Sequence, residues 1–480
     1  MIPAIRPSLL PRESGAARAA FRVFLGIIAI GVAGLGWAAA CSMGGILWNA
    51  PRLAPSFALA HGLPIYAVRA SGAHLGWIYG PVFPVFFLPV TMVPNLTAAF
   101  MLAGLWNAAT LLAPIGLAVR AAAGARAGVV TLTTLFGALL LLANPITNAA
   151  FFMLHVDGLC IAFGLAGCVG LQAATRRGWT PGFHLAAIAV ILAIWTKQTA
   201  IMLVPATLCW LATSGSKALV ARWLWCLAAY GGVVSIVVFK VFGPEELLFN
   251  LWMFHIRSPS AGGLGLLGSR MAELVAAGWL WWIALAAGLA VRKATPVPLS
   301  ANARSLVGLL AWAAAWQIPM GLAASLKIGG GLNSLHALSY GAVAALVAGA
   351  DWLVQARLAE RPKAWRSAAL VFAAASFGCL GAGYFQAMQR GVIWTPYRGQ
   401  QELLDLARRS PGGIYLPWNP LITIISDRRV YPFDDALLCL WRAGLEPPRA
   451  AVQAAIPAGA TVLYAEQVQS RFALRYVQPE

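Results

Sequence analysis

Long apolar runs constrain the fold of this chain more than any other feature of its sequence. The first covers residues 21–47, and at about 1.5 Å per helical residue it can cross roughly 30 Å of hydrocarbon. Only 10% of the 480 residues are charged and 60% are hydrophobic, whereas a soluble domain has about 25% charged residues. The sequence therefore predicts an all-α polytopic membrane protein whose excess apolar residues face lipid.

The basic residues follow the pattern of a membrane protein. The net charge is +19, but Arg and Lys occur in short clusters between apolar runs and form no stripe interleaved with aromatic residues, so we expect no nucleic-acid partner. Arg6, Arg12, Arg18 and Arg22 precede the first run. By the positive-inside rule, residues 1–20 form a cytoplasmic segment, and the first run is an uncleaved signal anchor of a multi-pass plasma-membrane protein.

Basic clusters alternate with more polar segments along the chain and divide it into about 11 transmembrane helices within residues 21–387. Because this number is odd, the C-terminus is expected on the extracytoplasmic side. The outer loops are expected at residues 48–78, 144–157, 243–270 and 326–336.

Two segments do not divide cleanly into spans. Four prolines interrupt the first part of residues 79–120, at positions 81, 84, 89 and 94, and two spans there would place Arg120 and Arg126 outside. We therefore expect a partly re-entrant first half and one true span at residues 96–119. Residues 184–212 are expected to form two short packed helices with Lys197 at their outer turn, because basic residues flank both ends.

The C-terminal segment, residues 388–480, differs in composition from the rest. It holds eight of the fifteen acidic residues. Residues 400–409 are typical of a helix, and residues 413–416 and 461–464 are typical of short strands bounded by Pro and Gly. The pattern predicts a small extracytoplasmic α/β domain that could close over the outer face.

The acidic residue Asp157 stands out in the N-terminal half, because no other Asp or Glu occurs between Glu13 and Glu245. It follows His155 at the start of an apolar run, at a membrane edge. A charged residue at the rim of hydrocarbon is by default a functional hypothesis. The alternative is an Asp that only caps a helix at the membrane interface.

Most of the remaining polar residues fall on the outer face of this topology. Five of the six His residues lie there, although His also favours interfaces for structural reasons. Lysines near His and carboxylate groups suit the binding of a phosphate and the removal of a proton from an acceptor. Asp157 could instead hold a divalent metal ion such as Mg²⁺ or Mn²⁺. The outer-face residues are His61, His74, His155, His255, His336, Asp157, Lys197, Glu245, Glu246, Lys327 and Asn333.

Five short stretches, spread in order over most of the chain, resemble the GT-C superfamily of polytopic glycosyltransferases, which includes protein O-mannosyltransferases and aminoarabinose transferases. The resemblance is greatest to a bacterial, uncharacterised branch. The stretches are Tyr79-Gly80-Pro81, His155-Val156-Asp157-Gly158, Trp195-Thr196-Lys197-Gln198-Thr199, Lys327-Ile328-Gly329-Gly330-Gly331-Leu332-Asn333 and Asp427-Arg428-Arg429-Val430.

The resemblance implies transfer of a sugar from a polyprenyl-phosphate-linked donor to an acceptor at the outer face of the inner membrane, with membrane lipid as a further partner. The acceptor is unknown. The residues expected to take part in catalysis are Asp157, His155 and His61, with Asp157 also the candidate metal ligand. The residues expected to bind substrate are Lys197, His74, Tyr79, Lys327, Asn333 and Arg52.

One departure from the family pattern bears on catalysis. GT-C enzymes usually carry an acidic residue just after the first span as the catalytic base, and residues 48–77 contain none; Trp48-Asn49-Ala50-Pro51-Arg52 stands at that place. Asp157 or a loop His could replace it. A transporter or flippase of lipid-linked or anionic substrates, and a non-catalytic member of an envelope polysaccharide machine, are the alternative hypotheses.

Overall fold

The computed structural model describes most of the chain. The described residues are 15–67, 70–123, 130, 133–139, 151–178, 180–213, 216–258, 264–277, 298–327, 334–355, 362–389, 391–410, 413–456, 458–464 and 471–477.

The described part of residues 15–389 is helical. Its α-helices are α1 (Gly15–Ser42), α2 (Asn49–Ala60), α3 (Val82–Phe86), α4 (Leu96–Ala123), α5 (Val156–Arg177), α6 (Thr180–Thr196), α7 (Leu203–Thr213), α8 (Lys217–Phe242), α9 (Pro244–Leu248), α10 (Phe254–Arg257), α11 (Leu264–Ala277), α12 (Ala301–Ser325), α13 (Ala337–Gln355) and α14 (Pro362–Gln389). Three 3₁₀ segments, Met43–Gly45, Leu88–Met92 and Gln198–Met202, and one π segment, Phe249–Met253, join some of them.

The remaining residues form a mostly helical tail. Its elements are α15 (Gly399–Arg409), β1 (Ile414–Tyr415), α16 (Pro420–Asp427), α17 (Asp434–Arg442), α18 (Arg449–Ala455), β2 (Thr461–Val462) and α19 (Leu474–Val477). The two strands pair in parallel, with Ile414 opposite Thr461. Both strands lie where the sequence predicts strands, but each has two residues, so the expected α/β domain is not confirmed.

Five helices of the described part are long and apolar enough to cross a membrane, so the chain has the composition of a multi-pass protein. The predicted count of eleven spans is not confirmed, and parts of the spans expected before residues 143 and 292 lie outside the described residues. The five candidate spans are Arg22–Gly45, Leu96–Ala122, Val156–Arg176, Lys217–Phe242 and Ala301–Ser325.

The helix pair α5 and α6 forms the centre of the apolar core. Gly178 ends α5 in a left-handed conformation (φ 61°), which lets the chain reverse into α6. Gly170 of α5 lies so close to Ala186 of α6 that an added Cβ would meet the alanine Cβ at 3.2 Å. The small residues therefore bring the two helices together in the half of the pair nearer the turn at Gly178.

Helix α2 lies within residues 48–78, the segment predicted to be the first outer loop. The sequence predicts a short interfacial helix at residues 57–60, but the helix starts earlier, at Asn49. Its buried residues Leu53 and Phe57 share one apolar core with Leu421 and Ile424 of α16. Hence the tail packs on the first outer loop.

Three backbone or side-chain hydrogen bonds support this packing. The Tyr397 amide donates to the Cys41 carbonyl at 3.0 Å, and the Phe433 amide donates to the His74 carbonyl at 3.2 Å. The Gln400 side-chain amide donates to the Gly44 carbonyl at 2.9 Å. Because these bonds fix both α15 and α17, the tail holds a defined position over the first outer loop.

We expect Gly80→Ala to destabilise the fold by about 1–3 kcal/mol or more, because the new methyl group would overlap the backbone carbonyl of Trp195, two residues before Lys197. Thermal unfolding of the detergent-solubilised protein, followed by Trp fluorescence, measures the effect. Gly232→Ala is the matched control, since an added Cβ there meets nothing within 4 Å. Equal melting temperatures for the two variants would contradict the predicted close approach.

Candidate functional site

Asp157 is buried at the start of α5, with 1% of its surface exposed. His155 is the N-cap residue of the helix. A carboxylate in the first turn is favoured by the helix dipole, because the first amide groups point toward it. The local sequence thus places Asp157 in a structurally stable position and turns its side chain into the protein interior.

Three side chains from separate elements contact the Asp157 carboxylate. The Lys197 ammonium donates to Oδ1 at 2.6 Å. The His336 Nε2 also contacts Oδ1, and the His155 Nδ1 contacts Oδ2. We call Asp157, Lys197, His336 and His155 the Asp157 cluster. It joins the start of α5, the turn after α6 and the start of α13.

The Asp157 cluster contains one carboxylate and one ammonium as its charged pair. Burial lowers the pKa of Lys197, but the Asp157 carboxylate more than offsets this, so that the pKa is raised overall. Burial lowers the pKa of His155 to about 4, although Asp157 favours its protonation. The His155 ring is therefore neutral at pH 7 and adds no second positive charge to the Asp157 cluster; its Nδ1 accepts a hydrogen bond from the Asp157 backbone amide at 3.4 Å.

Tyr79 connects the Asp157 cluster with the first outer loop. The Arg52 guanidinium lies 5.1 Å from the centre of the Tyr79 ring, and the Lys197 ammonium lies 5.9 Å from it. The His155 ring meets the Tyr79 ring edge-on at 5.8 Å. One aromatic ring thus separates two cations and keeps both within cation–π distance.

A cleft opens between residues 48–78 and the tail; Arg52 lines it, whereas Lys197 does not. Its cavity volume is about 60 Å³. Its walls come from the start of α2, the segment after α2, the Asn250 region and helix α17. The lining residues are Trp48, Pro51, Arg52, His74, Leu75, Gly76, Trp77, Ile78, Asn250, Phe254, Phe433, Asp435, Ala436, Cys439 and Leu440.

Arg52 and Asp435 are the oppositely charged residues that line this cleft. Burial raises the pKa of Asp435, whereas the positive charge of Arg52 opposes the rise. The Cys439 side chain, one turn further along α17, forms a hydrogen bond with Asp435. The cleft therefore offers a cation from α2 and a carboxylate with raised proton affinity from α17.

A second polar group fixes the segment that follows His74. The Ile78 carbonyl accepts hydrogen bonds from Gln198 Nε2 at 2.9 Å and from the His255 ring Nε2 at 3.1 Å. Burial lowers the pKa of His255, so its neutral Nε2–H tautomer fits this contact. The Lys327 ammonium donates to the His255 carbonyl. Lys327 is therefore tied to the Ile78 segment.

The structure brings most of the predicted site residues into two adjoining groups. Asp157, His155 and Lys197 meet directly, and Tyr79 joins them to Arg52. Asp157 does not line the cleft, although Arg52 does. Five of the predicted residues are therefore contiguous, and the Asp157 carboxylate faces inward.

The other predicted residues are more dispersed. His74 lines the cleft. Lys327 does not line it, and its ammonium donates to the His255 carbonyl. His61 is exposed at the C-terminal end of α2, away from both groups. Asn333 lies outside the described residues. The sequence analysis did not predict Asp435 as a site residue, and it placed His336 on the outer face without a role.

The donor set around Asp157 does not fit a metal ion. In the described ranges, no group of three His, Cys, Asp or Glu side chains could hold one. The Asp157 oxygen that would face a metal already binds the Lys197 ammonium. Dependence on Mg²⁺ or Mn²⁺ stays a prediction that EDTA treatment would test.

Comparison with known proteins identifies the fold. Two structures of ArnT from Cupriavidus metallidurans superpose on the chain. The form bound to undecaprenyl phosphate has 14% identity and a TM-score of 0.53, covering 88% of this chain and 91% of ArnT. The apo form has 13% identity and a TM-score of 0.55, covering 89% and 91%. No protein-family model and no curated protein matches the sequence. The chain therefore shares its fold with these two ArnT structures.

Proposed function

We propose, from the GT-C fold that this chain shares with ArnT, that it is an integral membrane glycosyltransferase. It takes a sugar from a polyprenyl-phosphate-linked donor and passes it to an acceptor at the outer face of the inner membrane. The observation that carries the proposal is the charged cleft between the first outer loop and the tail, on a fold whose solved neighbour binds undecaprenyl phosphate.

Arg52 is the residue best placed to bind the donor phosphate. It lies in the cleft, and its guanidinium is held against Tyr79. A guanidinium can bind two phosphate oxygens at once, and an aromatic face orients it without neutralising its charge. Trp48, which is 40% exposed, adds apolar surface beside Arg52 for the lipid or the sugar ring.

We assign Asp157 a positioning role. Its carboxylate already accepts from Lys197 and contacts two imidazoles, so it is committed to the protein and does not line the cleft. It holds Lys197 beneath the Tyr79 ring. Because Lys197 and Arg52 both contact the Tyr79 ring, the Asp157 cluster helps to fix the position of Arg52 and the electrostatic potential around it.

The test uses purified protein in lipid nanodiscs with a panel of radiolabelled polyprenyl-phosphate sugars and a membrane extract as the acceptor source. Release of polyprenyl phosphate together with label in the acceptor is the expected result. Movement of intact donor across a liposome membrane without release of the phosphate would instead indicate a flippase. If neither occurs but envelope polymer is lost on gene deletion, the non-catalytic alternative holds.

Arg52→Ala is expected to weaken binding of undecaprenyl phosphate by roughly 10- to 100-fold, because a charge-assisted hydrogen bond contributes about 1.5–3 kcal/mol. Arg52→Lys keeps the charge but cannot bind two phosphate oxygens in the same geometry, so its affinity should lie between those of the wild type and Arg52→Ala. Microscale thermophoresis in nanodiscs measures the affinity. Arg409→Ala, an exposed cation on α15, is the control. An unchanged affinity for Arg52→Ala would move the phosphate site elsewhere.

A further inference from the structure

We propose that Asp435 of the tail is the carboxylate that takes the proton of the acceptor hydroxyl, and that the active site is therefore completed by the tail. The inference rests on the proposed glycosyl transfer and extends it to a residue outside the membrane part. It also accounts for the lack of any acidic residue at positions 48–77, since the base would come from another part of the chain.

The first support is the position of Asp435 relative to Arg52. Both line the cleft, Arg52 from α2 and Asp435 from α17, and Arg52 acts electrostatically on Asp435. The ion pairs found within the described ranges do not include these two residues. The carboxylate is thus close to the proposed phosphate site and is not consumed by a salt bridge.

The second support is the firm docking of α17 on the first outer loop. The Phe433 amide, just before α17, bonds the His74 carbonyl at 3.2 Å. Gly76 adopts a positive φ of 66° and lies so close to Ala436 that an added Cβ would be 2.8 Å from the alanine Cβ. Asp435, beside Ala436, is therefore held in a fixed position at the cleft.

The third support is the contrast between Asp435 and its neighbour Asp434. Asp434 is buried, with 2% exposed, and its Oδ1 accepts from the Ala473 amide at 2.6 Å and the Tyr464 hydroxyl at 3.2 Å. Asp434 thus joins parts of the tail. Asp435 is only partly buried and points into the cleft, with the Cys439 thiol as its neighbour on the helix. The two adjacent carboxylates have different environments, and of the two Asp435 is the one that lines the cleft.

The chemical step balances with these groups. The acceptor oxygen forms a bond to the anomeric carbon while the bond from that carbon to the phosphate oxygen breaks. The bonding electrons leave with the polyprenyl phosphate, whose charge Arg52 stabilises. The hydroxyl proton passes to the Asp435 carboxylate and then to solvent at the mouth of the cleft. A carboxylate in a partly desolvated site is a stronger base than one in water.

Asp435→Asn is expected to lower kcat by about 10²- to 10⁴-fold, the usual contribution of a general base. Undecaprenyl phosphate should still bind to this variant at least as tightly as to the wild type, because the change removes a negative charge from the cleft. Glu402→Gln, an exposed tail carboxylate on α15, is the matched control and should keep wild-type kcat. A kcat for Asp435→Asn within about threefold of wild type would overturn the inference.

The pH profile gives a second measurement that does not depend on the folding of the variant. Because the base must be ionised, wild-type kcat should fall as the pH drops through a pKa raised above the usual carboxyl range near ~4. The groups that face Asp435 are Arg52 of α2, His74 of the first loop, and Asp434, Cys439 and Arg442 of its own helix.

His74→Asn removes the imidazole that lines the cleft and so distinguishes its titration from that of Asp435. The fall of kcat at low pH should persist in this variant. Loss of this fall in His74→Asn, or a wild-type profile that lacks it, would overturn the inference. An inactive wild type with every donor removes the proposed function as a whole. An active wild type with an equally active Asp435→Asn removes only the role of Asp435.

Discussion

Lys197→Met is expected to lower the free energy of unfolding by about 3–5 kcal/mol, because removal of one partner from a buried ion pair leaves the other charge uncompensated. Lys197 and Asp157 are both nearly fully buried, and their contact measures 2.6 Å. The substitution keeps the side-chain length and removes the charge. Unfolding by SDS from mixed micelles, followed by Trp fluorescence, measures the change.

A double-mutant cycle separates the ion pair from simple packing. Asp157→Asn combined with Lys197→Met should be less destabilised than the sum of the single variants, since neither charge is then left alone. Lys240→Met, at the exposed end of α8, is the control. If Lys197→Met costs no more than Lys240→Met, the Asp157 cluster does not stabilise the fold in the way the geometry indicates.

The same variants address catalysis. If the double variant folds and transfers sugar, Asp157 cannot be the proton acceptor, and its positioning role stands. If transfer is lost while undecaprenyl phosphate still binds at wild-type affinity, the carboxylate itself takes part in the chemistry, as the sequence analysis expected for Asp157.

The pairing of Asp157 with Lys197 could be anticipated from the sequence for a physical reason. A charge inside an apolar run must be paired, and these two lie at the outer ends of neighbouring apolar segments. His336 was on the same face, but its contact with Asp157 depends on how α13 packs against α5. That packing is a tertiary property which the hydropathy pattern does not contain.

Asp435 was beyond the reach of the sequence analysis because its partner Arg52 lies in a distant segment. The available signal was the acidic pair Asp434 and Asp435 after Pro432 and Phe433, in a tail expected to cover the outer face. Nothing in that pattern tells which of the two carboxylates faces the cleft. The hydrogen bonds of Asp434 to Ala473 and Tyr464 decide it.

His61 shows that residues predicted on one face can still lie apart from each other. Sorting by topology placed it with the other outer His residues. Helix α2 begins at Asn49 and ends at Ala60, so His61 lies about 13 Å along the helix from Arg52. The length of α2 was underestimated because Pro51 and Pro55 indicated a broken loop. Pro51 is tolerated in the first turn, where its missing amide has no partner to lose.

Asn49→Asp is the second substitution with a large expected effect. Asn49 is fully buried; its side-chain oxygen accepts from the Leu154 amide at 2.8 Å, and its amide group donates to the Met43 carbonyl at 3.0 Å. An aspartate would keep the first bond, lose the second and place a buried carboxylate oxygen against a carbonyl oxygen. We expect a loss of about 3–5 kcal/mol in unfolding free energy, measured as for Lys197→Met.

The control for this substitution is Asn95→Asp. Asn95 is exposed just before α4, where its side-chain oxygen accepts from the Ala98 amide at 3.0 Å. An aspartate keeps that bond and gains from the helix dipole, so stability should not fall. The pair therefore compares the same chemical change at a site that needs the amide donor and at one that does not.

Asn49→Asp also tests whether the first outer loop or the tail supplies the catalytic base. The substitution restores an acidic residue to the first outer loop, where GT-C enzymes usually carry their base. If Asn49 serves to hold the Leu154 segment and thereby Asp157, the variant loses stability and gains no transfer activity. An aspartate at position 49 that leaves stability intact and restores transfer to Asp435→Asn would show that the first-loop position faces the substrate. The base would then belong to the membrane part, and the tail would serve only to close the cleft.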